Sequence, residues 1–255
     1  MRSIWIICRR ELSSYFSSPI AWLLLTMYSI LFGWFFWNYL GNFVVEGIEM
    51  QMAGQMQPMN INEQIIRPLL LNTSFLALFF VPLITMRLFA EEKRSGTIEL
   101  LATSPVRDIE VILGKWLAAT ILYGWLLVYA GINFAFLFAY GHPDWKPILV
   151  GYLGLILQAA ALLALGTFIS TLTKNQIIAG AATFGIILLF WVFSWVSSYD
   201  SSTWARVLSY LSVPVHYESF GRGVLSMKDA VYYVSFIFLG IFFTARSMES
   251  LRWRS

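Results

Sequence analysis

A single cysteine, Cys8, and two histidines, His142 and His216, are all that 255 residues offer for thiol or imidazole chemistry. One thiol closes no intramolecular disulfide, and it says little about redox compartment. Charge is scarce as well. Charged residues make up 12% of the chain, against about 25% in ordinary soluble domains, while hydrophobic residues make up 58% and mean hydropathy is +0.69. Phosphate-loop chemistry is missing, because Gly114-Lys115-Trp116 has neither the leading glycine nor the hydroxyl of G-x-x-x-x-G-K-[S/T]. There is no H-E-x-x-H and no G-x-S-x-G, and no acid or base stands near the centre of an apolar run, where a proton relay or an intramembrane hydrolase would need one. No catalytic, cofactor-binding or metal-binding residue is therefore expected, and any ATP that drives this chain must bind elsewhere.

What the chain has in abundance is long apolar sequence. Six runs stand out, at about 20–40, 68–86, 116–140, 148–172, 177–196 and 230–245. Five reach or approach the ~20 residues that a helix needs to cross a bilayer, and the sixth is short. The expected fold is an all-α polytopic membrane protein of six spans. If both termini are cytoplasmic, 12 of the 17 Lys and Arg fall on inner segments and 5 on outer ones, with the acids divided seven and seven. The inner side is then net +5 and the outer side −2, so the distribution of Lys and Arg places both termini inside. The pI of about 9.0 belongs to these interfacial loops and does not indicate nucleic-acid binding. The start of the chain lacks a cleavable signal pattern, so insertion is expected to begin with the first span.

Residues 2–17 suit a helix lying on the inner membrane surface. Ile4, Trp5, Cys8, Leu12, Tyr15 and Phe16 would face lipid, with Arg2, Arg9, Arg10 and Glu11 toward water. Between spans one and two, residues 41–67 read as weakly structured. Their Met50, Met52, Met56 and Met59 are soft ligands of the kind Cu(I) favours, although adaptable packing is the commoner use of such methionines. Between spans two and three, the 91–105 stretch is the long charged interval on the inner side. A helix is expected to follow the release at Ser95-Gly96-Thr97 and to stop before Ser104-Pro105, with Ile98, Leu101 and Ala102 on one side. Glu91, Glu92, Lys93, Arg94 and Glu99 would be left to water or a partner. A second helix would take Ser104 as N-cap and Pro105 at its first position and lead into span three.

Asn133 and Gln158 are polar residues at membrane depth, suited to lining a conduit or to bonding neighbouring helices. Gly151, Gly154, Gly166 and Ala159–Ala161 give span four a small-residue face for close packing, within the chain or across a dimer seam. The outer segment 197–229 is apolar for a loop, with Trp204, Val207, Leu208 and Leu211 at helical spacing. His216 and Glu218 invite an acid/base or metal reading, but two histidines on separate loops support it poorly.

Three stretches carry a family resemblance. R-x-F-A-E-E-K-R-S-G-T-I-E-L-L-A-T-S-P-V followed by G-K, together with R-R-E-L-S-S-Y-F-S-S-P-I-A-W near the start and H-Y-E-S-F-G-R-G-V near the end, resembles ABC-2-type transporter permeases, most closely the branch associated with gliding motility. The likeness covers nearly the whole chain, 1–255, as one transmembrane domain. It implies that the 91–105 loop is a coupling helix docking on an ATP-binding subunit, through Glu91, Glu92, Arg94, Gly96, Thr97, Glu99, Leu100, Leu101, Ser104 and Pro105. Arg9, Arg10 and Glu11 would lie on a connecting helix that helps make the contact, where the residues alone fit a simple anchor equally well. The implied assembly is a dimer of permease subunits with two ATP-binding subunits, in a bacterial inner membrane, with ATP and Mg on the partner. The resemblance implies a transporter; an ABC-type scaffold working on a cell-envelope machine is the alternative, and a membrane enzyme is less favoured.

Overall fold

The computed structural model describes residues 2–54, 59–97, 106–199 and 202–252, which among them are helices and connections with no strand. Helix α1 (Arg2–Ser17) ends at a Ser-Pro step: Ser18 is extended, with φ −96° and ψ 154°, and Pro19 opens α2 (Pro19–Met52). Proline forces the residue before it out of the helical region and then fits the first turn of the next helix, so the chain turns a corner here. At 34 residues α2 is about 50 Å long, well beyond a ~30 Å hydrocarbon core. It thus runs through much of the stretch expected to be weakly structured. The reason is that nothing breaks the helix before Gly54, whose φ is +70°.

The second span is composite. A π-helical turn (Asn62–Ile66) leads into α3 (Arg67–Thr85), a turn covers 86–89, and the short helix α4 (Ala90–Ser95) follows. Gly96, at φ +75°, stops α4 in the left-handed conformation that favours glycine, so the release expected at this residue is present. The helix expected to follow it falls at 98–105, outside the described residues, as do Glu99, Leu100, Leu101, Ser104 and Pro105. Span three, α5 (Asp108–Tyr140), begins later than Ser104-Pro105 suggests. Arg107 is still extended, and Asp108 and Glu110 supply the negative charge that a first helical turn prefers. Helices α6 (Trp145–Ser170), α7 (Gln176–Tyr199), α8 (Thr203–Leu211), α9 (Val213–Gly221) and α10 (Met227–Arg252) complete the described chain.

Among the described residues, six helices are long and apolar enough to cross a membrane: α2, the α3 composite, α5, α6, α7 and α10. The sixth, short by its apolar run, reaches 26 residues because its ends are polar and helical. Helix α6 is the hub, packing on α3, α5, α7, α9 and α10. Its glycines explain how. A Cβ on Gly151 would come within 2.5 Å of Leu70, one on Gly154 within 2.5 Å of Phe220, and one on Gly166 within 2.4 Å of Thr85. This small-residue face is therefore spent inside the chain and is unavailable for a dimer seam. In contrast, α7 and α10 leave most of their apolar surface outward, including Ile177, Leu189, Val231 and Phe238.

Candidate functional site

Helix α1 does not float on one apolar face. It packs along α5, and Cys8 and Tyr15, expected toward lipid, are buried against protein. Close approach is possible because α5 presents Gly114 there, where a Cβ would stand 2.8 Å from Ile7. Burial, with the nearby Glu11 carboxylate, pushes the Cys8 thiol up from its ordinary range. Glu11 is also turned inward, away from the water expected to hold it.

Its partner is Lys115. Lys115 is 1% exposed, and its ammonium sits 2.9 Å from Glu11 Oε1 and 2.8 Å from Glu92 Oε1. It also lies 5.3 Å from the centre of the Phe89 ring. Arg10 Nη2 flanks the pair at 3.4 Å from Glu11 Oε1 and 3.8 Å from Glu92 Oε1. One buried lysine thus joins α1, α4 and α5, three elements that are distant in sequence. Glu92 thus has Lys115 and Arg10 as cationic neighbours and shares Lys115 with Glu11. Two anions around one buried cation balance only while the cation is present, since a buried charge without its partner is costly.

A second set of contacts ties α4 to the ends of other spans. Helix α4 needs partners for its first backbone N–H groups, and Ser170 at the end of α6 provides one. Its Oγ accepts from the N–H of Phe89 and of Ala90, both at 3.1 Å. Lys93 donates to the Thr171 carbonyl, and Thr171 Oγ1 meets Ser247 Oγ of α10 at 2.8 Å. On the other flank Arg87 Nε lies 3.1 Å from Glu91 Oε2, and its guanidinium is 5.1 Å from the Tyr15 ring centre. Tyr15 in turn donates to the Ile84 carbonyl at 3.0 Å. Every span except α7 has an end within this network, counting α2 through Ser18, whose Oγ receives a long bond from Arg87 Nη1 at 3.5 Å.

The residues read from sequence therefore divide. Glu92, Glu11 and Arg10 come together on Lys115; Glu91 pairs with Arg87; Arg94, Gly96 and Thr97 are exposed where the chain leaves α4; Arg9 is exposed on the far side of α1. Lys115, Ser170, Thr171 and Arg87 were missed. A lysine set between Leu113, Gly114 and Trp116, in apolar surroundings, is the one signal that could have marked Lys115.

Elsewhere the polar residues singled out in the spans and in the outer segment have partners within the chain. Gln158, 2% exposed, accepts at Oε1 from Ser74 Oγ at 2.8 Å, joining α6 to α3. Asn133 donates to the Ala130 carbonyl of its own helix at 3.1 Å. Met59 Sδ lies 3.3 Å from where a Cβ on Gly47 would stand, Met52 is exposed, and Met56 is outside the described residues. His216 pairs with Asp229, Nδ1 to Oδ1 at 2.7 Å, and Glu218 with Arg222 instead. The other His216 nitrogen, Nε2, is 2.8 Å from the Tyr210 carbonyl, and the ring stacks on Tyr232 with centroids 3.8 Å apart. Both ring nitrogens therefore stand against an oxygen. With its edges occupied and a face covered, this imidazole fastens α8, α9 and α10.

A bundle of six helices long and apolar enough to cross a membrane, with the charged helix α4 packed at one end, is the architecture of a polytopic membrane protein. The sequence profile of the ABC-2 family transporter proteins matches residues 5–244, and the chain belongs to that family. No curated protein matches the chain at a significant level. The family assignment makes it a multi-pass membrane protein and a permease subunit of an ABC transporter.

Proposed function

We propose that this permease subunit works as a dimer, with the same or a homologous chain, and that two separate ATP-binding subunits dock on α4 and the 98–105 segment beyond it. The end of the bundle carrying α1 and α4 would then face the cytoplasm, with both termini inside a bacterial inner membrane; the distribution of Lys and Arg supports that orientation. ATP and Mg would belong to the partner, in keeping with the missing phosphate loop.

The observation that carries the reading is the Lys115 cluster. A connector between spans needs only a few residues. This one is instead anchored at its base to α1, α5, α6 and, through Thr171, α10. A push on the exposed Arg94–Thr97 edge would reach these four helices at once rather than bend a loop. Closure of the ATP-binding subunits would move those span ends as a unit and shift a route at the dimer interface.

Co-purification tests this. The full chain in detergent is compared with an Arg94→Glu, Leu101→Asp double variant for retention of its ATP-binding subunit. The native chain is expected to retain it and the variant to lose it while still eluting as a folded, monodisperse species. Equal retention by both would overturn the docking assignment.

A further inference from the structure

The outward face of α1 is a built basic surface that the Lys115 cluster leaves unused. Three arginines lie on this helix, and its one acid, Glu11, is turned inward onto Lys115. Across the outward side, Trp5 and Ile6 are 62% and 65% exposed and line a groove with Arg9, Arg10, Ser13 and Ser17. Among the described residues, Arg2 and Arg9 have no acidic partner. The groove opens beside the start of α2, where Trp22 and Leu23 are also exposed. Trp22 Nε1 donates back to the Phe16 carbonyl at 3.2 Å, fixing that indole at the junction of α1 with the first span.

We propose that this face binds the headgroup of an anionic phospholipid. The chemistry is complementary at three points. Unpaired guanidinium groups offer forked donors to phosphate oxygens. The Ser13 hydroxyl can donate to the same phosphate or to a glycerol headgroup, and the exposed Trp5 and Ile6 suit the boundary between headgroups and acyl chains. An acidic protein surface would satisfy the arginines but would leave Trp5 and Ile6 to find an apolar partner of their own, whereas a lipid supplies both. The consequence is that α1 is held from two sides: its Glu11 carboxylate on the buried Lys115 ammonium toward the bundle, and its outward arginines on the anionic leaflet surface. Lipid composition would then set how firmly the base of the 91–105 segment is seated. The inference rests on α1 lying at a membrane surface and needs no ATP-binding subunit.

Native mass spectrometry of the full chain tests it, after equilibration with equal amounts of phosphatidylglycerol and phosphatidylcholine in mild detergent. The native chain is expected to retain phosphatidylglycerol preferentially. An Arg2→Gln, Arg9→Gln variant, which leaves Arg10 and the ionic cluster untouched, is expected to lower that preference about tenfold. Arg206→Gln, removing an exposed charge from α8, controls for net charge and is expected to change nothing. A native chain that retains both lipids equally overturns the proposal, as does a double variant that keeps the native preference. Should the double variant keep the lipid but lose a co-purifying ATP-binding subunit, the face is a protein interface and the proposal fails.

Discussion

Both ends of this bundle bury a basic side chain against a carboxylate, and the two arrangements do different work. At the α9 end, His216 is held by Asp229, the Tyr210 carbonyl and the Tyr232 ring, all within about 25 residues of sequence. It is a local fastening, closed on its edges and on one face. At the α1 end, Lys115 is shared by carboxylates from two other elements, one of them 104 residues away, and a chain of further bonds leads from the same α4 to α6 and α10. Beside it the chain is exposed at Arg94 and Thr97. The difference teaches that a buried contact between a basic side chain and a carboxylate is not evidence of function by itself. What distinguishes the Lys115 cluster is how many elements it joins and that one of them reaches outward.

Substitutions sharpen the contrast. Lys115→Met should have the largest effect. It leaves Glu11 and Glu92 buried without their cation, at a cost of about 3–5 kcal/mol, and should lower the unfolding temperature in detergent and loosen α1, α4 and α5 together in hydrogen exchange. His216→Ala should cost about 2–3 kcal/mol, because Asp229 loses its partner. Its exchange signature should be confined to α8, α9 and the start of α10, with retention of an ATP-binding subunit unchanged. Gln158→Leu removes the two bonds to Ser74 at membrane depth, one of them long, and should cost about 1 kcal/mol in thermal unfolding. Arg222→Ala breaks only the exposed pair with Glu218 and should change stability by less than about 0.5 kcal/mol. If His216→Ala loosened α1, or Lys115→Met left it tight, the two ends would not be separable in this way.

Much of the architecture was readable from apolar runs and breakers. Six runs became six crossing helices, Pro19 opened the first, and Gly96 closed α4. Helix lengths were less readable, since polar residues such as Glu46 and Glu49 prolong α2 without interrupting its backbone. The small residues of α6 were visible, but whether they face Thr85 and Phe220 or another chain is a matter of which helices are adjacent. The candidate site was half legible. Glu92, Glu11 and Arg10 were marked by their charge and position, but periodicity put Glu11 toward water. Its destination depends on Lys115 lying across α5, and a lysine near the inner end of a span looks like any other that obeys the charge rule. Ser170 and Thr171 carry no signal of their role, because capping another helix from a distance is a property of packing alone.

If the Lys115 cluster transmits force, α4 moves with the bundle. The most direct measurement places spin labels at Ser13→Cys on α1 and Ser95→Cys on α4, in a Cys8→Ser background, with the ATP-binding subunit bound. The distance between the labels is then compared before and after ATP is added. An unchanged 13-to-95 distance, while both labels shift relative to a third on α8, is the result expected if the Lys115 cluster ties α4 to α1 and α5. A 13-to-95 distance that changes while α1 stays fixed relative to α8 would contradict it, because α4 would then be a free loop and its anchors would transmit nothing.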